Sequence, residues 1–179
     1  MQYYDRDGLG VVQLASSSFG QAQKITPIQM ATAVAAAVNG GYLVQPHVVG
    51  QVLDADGNVT ATGQTEPKRQ VISEEVSATI RSMMENVVES GKQGAPGRNA
   101  YVAGYRVGGK SGTSEKLDEE RNAYGGYRFA SSFCAIVPAD DPEILVMVIL
   151  DDPDTATDSS LYLSGPCVGN IISEVAPYL

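Results

Sequence analysis

The chain has 179 residues, 43% of them hydrophobic, and its 12 lysines and arginines against 21 aspartates and glutamates give a net charge of −9. This length suits one domain with a sizeable core rather than two large ones. The acidic balance repels polyanions, so no nucleic acid is expected as a partner. No apolar run approaches the about 18 residues that span a bilayer, and the first ten residues show no signal-peptide pattern.

Few residues are suited to metal or redox chemistry. Cys134 and Cys167 stand in apolar stretches outside any CxxC or Cys/His cluster, and His47 has no ligand partner nearby in sequence, so we expect no metal site and no cofactor. We predict two buried free thiols, with a disulfide as the alternative. His47 is predicted to be a half-exposed strand residue rather than a base, because nothing nucleophilic lies near it in sequence.

The first well-marked helix is the stretch TPIQMATAVAAAVNGG. Thr26 can cap it, Pro27 suits the first turn, Gln29 completes a capping box, and Asn39 with two glycines ends it. Its small, alanine-rich face predicts a core helix with nearly all side chains buried.

A hairpin and a second helix follow. Two extended runs surround Asp56-Gly57, which is typical of a β-hairpin turn. The stretch SEEVSATIRSMMENVVESG predicts a helix that Ser73 caps and Gly91 stops. Its expected apolar stripe, with the methionines as core filler, is Val76, Ile80, Met83, Met84, Val87 and Val88.

Three predicted strands, at about 103–115, 127–137 and 143–151, precede a final helix in GPCVGNIISEVAPYL. The last strand is almost continuously apolar, which favours burial on both faces. Helices that bracket consecutive strands indicate an α+β domain with an antiparallel sheet covered by helices.

The candidate site lies in AGYRVGGKSGTSEK, residues 103–116. Lys110 supplies charge for an anionic, peptide-like ligand, and Gly112 lets the ligand backbone come close. Strand alternation places these two on one face and Ser111 and Thr113 on the other, so backbone N–H groups are expected to matter as much as side chains. An extended ligand could add itself to this edge as a further strand. Taken alone, Lys-Ser-Gly-Thr is also a common surface-turn composition.

Three stretches together resemble the penicillin-recognising serine enzymes. KSGTSE is similar to their Lys-Thr/Ser-Gly box, and residues 16–41 and 127–153 are similar to further family segments in order and spacing. The combination resembles the C-terminal part of a class B penicillin-binding protein of the septal or spore-cortex type. The resemblance implies that residues 1–179 are the C-terminal portion of a penicillin-binding transpeptidase domain, with a partial transpeptidase/β-lactamase-like fold.

The resemblance also implies roles for the box residues. Lys110 and the two hydroxyls would orient the terminal carboxylate of a D-Ala-D-Ala stem peptide or of a β-lactam. The backbone N–H of Thr113 would be one oxyanion-hole donor, and the charge of Glu115 is expected to weaken β-lactam capture. The implied substrate-binding residues are Lys110, Ser111, Gly112, Thr113, Ser114 and Glu115.

By resemblance, the parent protein is a serine-type D,D-transpeptidase of peptidoglycan biosynthesis. It would act at the extracytoplasmic face of the bacterial cell membrane, with other cell-wall synthesis proteins as partners.

The departures from the family pattern concern the nucleophile. No serine is followed three residues later by lysine, and no Ser-x-Asn or Tyr-x-Asn box occurs. We interpret the chain as truncated, with a divergent deletion as the alternative, and predict that it is catalytically incomplete alone and forms no penicilloyl adduct. Ser16, Ser17 and Ser18 are predicted to be turn or capping residues rather than nucleophiles.

Three questions stay open from the sequence. A non-catalytic carboxylate- or peptide-binding module and a purely structural fragment are the alternative functions. The loop from Lys116 to Gly126 either gates the site or is simply solvated. The resemblance implies that the first strands of the family's sheet and its nucleophile helix come from sequence absent here. Their absence would leave a sheet edge or an apolar helix face uncovered, so we expect the chain to form a homodimer.

Overall fold

The structure is a computed structural model that describes residues 8–20, 24–89, 97–116, 128–155 and 157–179. The described helices are α1 (Val11–Ser18), α2 (Pro27–Val38), α3 (Glu74–Val88) and α4 (Ser164–Val175), with 3-10 turns at Arg98–Ala100 and Ala176–Tyr178. The strands are β1 (Tyr42–Leu43), β2 (Gln51–Leu53), β3 (Val59–Thr62), β4 (Arg69–Gln70), β5 (Gly108–Glu115), β6 (Phe129–Val137) and β7 (Ile144–Asp151). The chain divides into two compact units, one within Met1–Ser77 and one within Ala78–Leu179.

In the first unit, α2 begins at the predicted cap. The Thr26 hydroxyl accepts the N–H of Gln29 at 3.4 Å, and the Gln29 side chain accepts the N–H of Thr26 at 3.0 Å. The capping box is therefore confirmed. The expected near-complete burial is wrong: only Ala36 and Val38 are buried, because within this unit the helix packs on the short strand β1.

The helix α1 was not predicted, and it contains the serine run. The Ser16 and Ser18 hydroxyls donate to the carbonyls of Val12 and Ala15 at 2.9 and 2.6 Å. The expectation that Ser16, Ser17 and Ser18 are turn or capping residues is wrong, because all three lie inside the helix and serine hydroxyls can bond to carbonyls of the preceding turn.

The hairpin predicted around Asp56-Gly57 is confirmed as β2–β3. Asp54 closes it: its N–H donates to the Asn58 carbonyl at 2.9 Å, and its carboxylate accepts the Asn58 N–H at 2.8 Å. This backbone hydrogen bond from Asn58 is the main cause of a lowered pKa of the Asp54 carboxyl. Every residue of both strands is exposed.

Two further features of this unit differ from expectation. A short antiparallel pair, β1–β4, joins Tyr42 to Gln70 and was not predicted. His47 was expected in a strand, half-exposed, but it is exposed and lies outside regular structure. Its ring Nδ1 lies 3.1 Å from the Gln45 carbonyl oxygen, a local contact that needs no strand.

The helix α3 is confirmed, and the Ser73 hydroxyl accepts the N–H of Val76 at 3.3 Å. The predicted stripe is partly wrong, because Val76 and Met83 are exposed while Met84 and Val88 are buried with Ser77. Positions 77, 84 and 88 lie on one line of a 3.6-residue helix, whereas 76 and 83 are rotated away from it. The predicted stop at Gly91 lies outside the described residues.

The second unit is built on the antiparallel sheet β5–β6–β7, against which α4 packs. β5 begins at Gly108 rather than at 103, because residues 102–105 form a turn in which the Tyr105 N–H donates to the Val102 carbonyl. The core cluster is Val88, Ala100, Val102, Val107, Phe133, Ala135, Val137, Val168, Ile172 and Ala176.

The prediction that β7 is buried on both faces is wrong. Its residues are mostly half-buried, and Ile149 is exposed. Val146 and Val148 pack against the core cluster, whereas the alternate side chains point to the other face of the sheet. The α+β class with an antiparallel sheet is nevertheless confirmed.

The two cysteines are free thiols, as predicted. Cys134 is buried, but Cys167 is only half-buried because it lies near the start of α4, where its thiol donates to the Leu163 carbonyl at 3.4 Å. Among the helices of the described ranges, none has the length and hydropathy needed to cross a membrane.

Candidate active-site strand

The candidate site lies on the edge of β5 that faces away from β6, where no other described strand pairs with it. β5 pairs with β6 on one side of the described sheet, and the ladder continues to Lys116, whose N–H donates to the Arg128 carbonyl at 3.0 Å. Hydrogen-bonded and non-hydrogen-bonded pairs alternate along an antiparallel ladder. Counting back from Lys116 in the unbroken register, Ser111 and Thr113 direct their N–H and C=O groups away from β6.

Lys110 places its ammonium at this same edge. Its Nζ donates to the Ser111 carbonyl oxygen at 2.5 Å, and its side chain is exposed. Within the part of the chain that the structure describes, no carboxylate lies within ion-pair distance of it. Two nearby cations, Lys116 and Arg128, are already paired with Asp151 and Asp152. Lys110 is therefore the cation of this strand that can receive an anion.

The four box residues divide between the two faces of the strand, as strand alternation predicts. Lys110 and Gly112 lie opposite Cys134 and Ser132 on β6, whereas Ser111 and Thr113 lie opposite Phe133 and Ser131. A ligand that meets both the ammonium and the Thr113 hydroxyl must therefore approach along the strand edge rather than from one face.

Gly112 keeps the Lys110 face of the strand open. Among the described residues, a Cβ built there would meet only the Ser132 hydroxyl oxygen, at 2.7 Å, within a distance of 4 Å. That hydroxyl donates to the Gly112 carbonyl at 3.2 Å. The space above Gly112 is therefore available to a ligand backbone.

Gly109 has a structural purpose that the sequence did not reveal. A Cβ at this position would lie 2.5 Å from Cε1 of Phe133 and 3.0 Å from Cγ2 of Val88. The glycine lets β5 pass directly beneath the Phe133 ring, which is itself buried in the core. The glycine before the Lys-Ser-Gly-Thr box thus allows the site strand to pack closely on the core of the second unit.

Thr113 makes a long-range contact that sequence reasoning missed. Its hydroxyl donates to the backbone carbonyl of Asp158 at 3.3 Å, across 45 positions of sequence. Asp158 belongs to the polar segment that leads into α4. The only sequence signal was the Ser-, Thr- and Asp-rich composition of that segment, which indicates a loop but not its position.

The remaining candidates lie at the end of the strand. Ser114 and Glu115 are exposed, and Glu115 lies opposite Phe129. The loop from Lys116 to Gly126, beyond Lys116 itself, lies outside the described residues, so its predicted gating is not addressed. In the described ranges, no group of three or more His, Cys, Asp or Glu side chains could hold a metal ion.

Cys134 lies beside Lys110 in the register but has the wrong electrostatics for a nucleophile. Burial raises the pKa of its thiol from 9.0 to about 12, because an apolar environment disfavours the thiolate. It acts as a small apolar side chain in the sheet.

Comparison with known proteins identifies the fold to which this strand belongs. The family model for the penicillin-binding protein transpeptidase domain matches residues 4–173. The chain belongs to that transpeptidase domain family. The resemblance to penicillin-binding transpeptidases, and the partial penicillin-recognising serine-enzyme fold inferred from it, are confirmed.

Individual relatives agree with this family assignment. It is 41% identical over 172 residues to Stage V sporulation protein D of Bacillus subtilis, covering 96% of the chain and 26% of that protein. It is 34% identical to the Probable peptidoglycan D,D-transpeptidase FtsI of Caulobacter vibrioides, covering 93% of the chain and 28% of the relative. The chain thus spans about a quarter of the length of these relatives.

A solved structure extends the agreement to three dimensions. Penicillin-binding protein 3 of Mycobacterium tuberculosis, complexed with aztreonam, superimposes with a TM-score of 0.82 at 25% identity. The match covers 98% of this chain and 40% of that one.

Proposed function

We propose that this chain supplies the substrate-carboxylate side of a peptidoglycan D,D-transpeptidase. Lys110 would bind the terminal carboxylate of a D-Ala-D-Ala stem peptide, or the equivalent carboxylate of a β-lactam. The observation that carries the proposal is the edge of β5 that no other described strand covers, where the Lys110 ammonium and the outward N–H groups of Ser111 and Thr113 come together.

The geometry of this edge suits an extended anionic peptide. Outward N–H and C=O groups can pair with a peptide backbone as a further strand would. A carboxylate at the end of that peptide gains a charge-assisted hydrogen bond from Lys110, which is roughly twice as strong as a neutral one. The open space above Gly112 leaves room for the ligand backbone, and Ser114 and Glu115 would continue the lining of the edge.

In the reaction, the Thr113 N–H would stabilise the oxyanion that forms when a serine attacks the carbonyl of the penultimate D-alanine. A preorganised donor of this kind contributes on the order of a hundredfold or more in rate. Acyl transfer also needs the activated serine and its lysine base. Because the 179 residues contain no Ser-x-x-Lys pattern, we propose that this chain alone binds substrate but does not turn it over.

Relatives named as peptidoglycan D,D-transpeptidases and a family structure with bound aztreonam support this choice of ligands. By the same resemblance, we propose that the whole protein works on the cell wall at the extracytoplasmic face of the membrane, alongside other cell-wall synthesis proteins. Self-association into a homodimer, through an uncovered sheet edge or an apolar helix face, also remains our proposal, and sedimentation velocity tests it.

Isothermal titration with a D-Ala-D-Ala peptide tests the binding site. We expect weak, saturable binding that falls at least about tenfold in Lys110→Ala, because one charge-assisted hydrogen bond is lost. Lys68→Ala removes an exposed lysine of the first unit and should bind the peptide as the unsubstituted chain does. Equal peptide affinity of Lys110→Ala and the unsubstituted chain would overturn the assignment.

Intact mass after incubation with a penicillin tests catalytic incompleteness. We expect no covalent adduct on this chain. A stoichiometric mass increase would mean that a serine of this sequence is activated without the Ser-x-x-Lys pattern. A non-catalytic binding module, the second candidate, is favoured if any sequence encoded upstream of these residues also lacks that pattern.

A further inference from the structure

A chain of buried oxygen atoms lies behind the site strand. Ser131 on β6 and Ser164 at the start of α4 are both fully buried, with their hydroxyl oxygens 3.1 Å apart. The Ser164 hydroxyl also donates to the Ser160 carbonyl at 3.2 Å. This connects the central strand of the sheet to the segment that precedes α4.

The direction of these hydrogen bonds follows from counting protons. A serine hydroxyl has one proton to donate and two lone pairs to accept with. Because Ser164 gives its proton to the Ser160 carbonyl, its oxygen must accept from Ser131 at the other contact. The same Ser160 carbonyl receives the backbone N–H of Gly165 at 2.9 Å, so the segment is anchored at this point by two donors.

The chain of hydrogen bonds returns to the site strand. Asp158, two residues before the anchored Ser160, accepts the hydroxyl of Thr113 through its carbonyl. Thr113 is also the cross-strand partner of Ser131 in the β5–β6 register. One closed path therefore runs from β5 to β6, through Ser131 and Ser164 to the segment, and back to Thr113.

The polar character of Ser131 is unexpected at its position. The inward row of β6 is otherwise apolar and includes Phe133, Ala135 and Val137. An apolar side chain there would bury without needing a partner, whereas a hydroxyl costs free energy unless it is fully bonded. Fully satisfied buried networks fix one arrangement of the groups they join.

We propose that Ser131 and Ser164 are positioning residues for the carboxylate site, an inference that rests on the proposed function of β5. Their hydrogen bonds fix the segment at 158–160, and its Asp158 carbonyl holds the Thr113 hydroxyl in one orientation before the ligand arrives. When a carboxylate binds, the hydroxyl proton turns from this long neutral bond to the charged oxygen, which is the stronger acceptor. Holding the side chain beforehand reduces the entropy lost on binding.

The test combines ligand affinity with a readout in the absence of ligand. Ser164→Ala and Ser131→Ala are each expected to weaken D-Ala-D-Ala binding about three- to tenfold, the effect of freeing one ordered side chain. In the ligand-free chain, both should shift the NMR signal of the Thr113 methyl group. Ser173→Ala, an exposed serine of the same helix whose hydroxyl bonds locally to Asn170, is the matched control and should change neither.

A double-mutant cycle distinguishes positioning from mere stability. In a Thr113→Val background, Ser164→Ala should weaken binding no further, because the hydroxyl through which it acts is gone. Additive losses would overturn the proposal, as would lower thermal stability with unchanged affinity and an unchanged Thr113 methyl signal. If an alanine variant does not fold, Ser131→Cys keeps the volume with a weaker donor and is judged by the same two readouts.

Failure of the proposed function gives a different pattern. If the unsubstituted chain binds no D-Ala-D-Ala peptide, or if Lys110→Ala binds it equally well, the assignment of the carboxylate site itself is wrong. The positioning of a ligand by Ser131 and Ser164 is then overturned with it. If the peptide binds and binding depends on Lys110, but Ser131→Ala and Ser164→Ala leave the Thr113 methyl signal unchanged, only the positioning role of the two serines is overturned.

Discussion

Two antiparallel pairings in this molecule are built in opposite ways. In the β2–β3 hairpin of the first unit, every strand residue is exposed, and the turn is closed by the local hydrogen bonds of Asp54. In the β5–β6 pairing of the second unit, β6 has seven of its nine residues buried. The hairpin needs only its own turn, whereas the site strand takes its position from the core beneath it. Substitutions in the two regions should therefore differ widely in effect.

The largest effect is expected from Phe133→Ala. Phe133 is 1% exposed, and removing a buried phenylalanine ring costs about 3–5 kcal/mol. We expect faster hydrogen exchange of the β5 and β6 amides and weaker peptide binding, because the ring packs directly against Gly109 of the site strand. Unchanged exchange would show that β5 does not depend on this packing.

Gly109→Ala should have the next largest effect. The added methyl group would meet the Phe133 ring, and overpacking of this kind costs about 1–3 kcal/mol. Adding Phe133→Leu to Gly109→Ala should restore part of the lost free energy of unfolding, as measured by denaturant unfolding.

Gly112→Ala is the matched comparison on the same strand. Among the described residues its new methyl group meets only the Ser132 hydroxyl, so we expect a smaller loss of stability and a larger loss of peptide affinity than in Gly109→Ala. The opposite ranking would contradict the assignment of Gly109 to core packing and of Gly112 to ligand access.

A pH dependence is expected from Cys134. Its pKa is raised from 9.0 to about 12, so the folded state favours the neutral thiol. The stability from this preference is complete below pH 9 and is lost as the pH rises toward 12. At pH 8, iodoacetamide should modify the half-buried Cys167 faster than Cys134, as mass spectrometry of the two peptides would record. Equal rates in the folded chain would contradict the burial of Cys134.

The smallest effect is expected from Val52→Thr in the hairpin. Val52 is 47% exposed, and threonine keeps the β-branched shape that strands favour. The free energy of unfolding should change by no more than about 0.5 kcal/mol. A loss as large as that of Gly109→Ala would show that the hairpin packs against something else in solution.

Local patterns were predicted well, for a physical reason. The capping box at Thr26 and Gln29 and the turn at Asp56-Gly57 depend on hydrogen bonds between residues close in sequence. The alternation of Lys110 and Ser111 between strand faces follows from backbone geometry alone. Such features are fixed by neighbouring residues and need no knowledge of the rest of the fold.

Features that depend on distant residues were not predictable. The phase of α3, which buries Ser77 and exposes Met83, is set by what packs on the helix rather than by its own hydrophobic residues. The contact of Thr113 with Asp158 and the Ser131–Ser164 pair each join residues far apart in sequence. Packing of the whole second unit decides them.

The most direct test of the carboxylate edge is a ¹⁵N NMR titration of the chain with a D-Ala-D-Ala peptide. We predict saturable changes at the Ser111 and Thr113 amides, whose N–H groups point to the free edge, and smaller changes at Gly112, whose N–H points to β6. Lys110→Ala should abolish the pattern at the same peptide concentrations. Saturable changes elsewhere, with Ser111 and Thr113 unmoved, would contradict the assignment of this edge as the binding site.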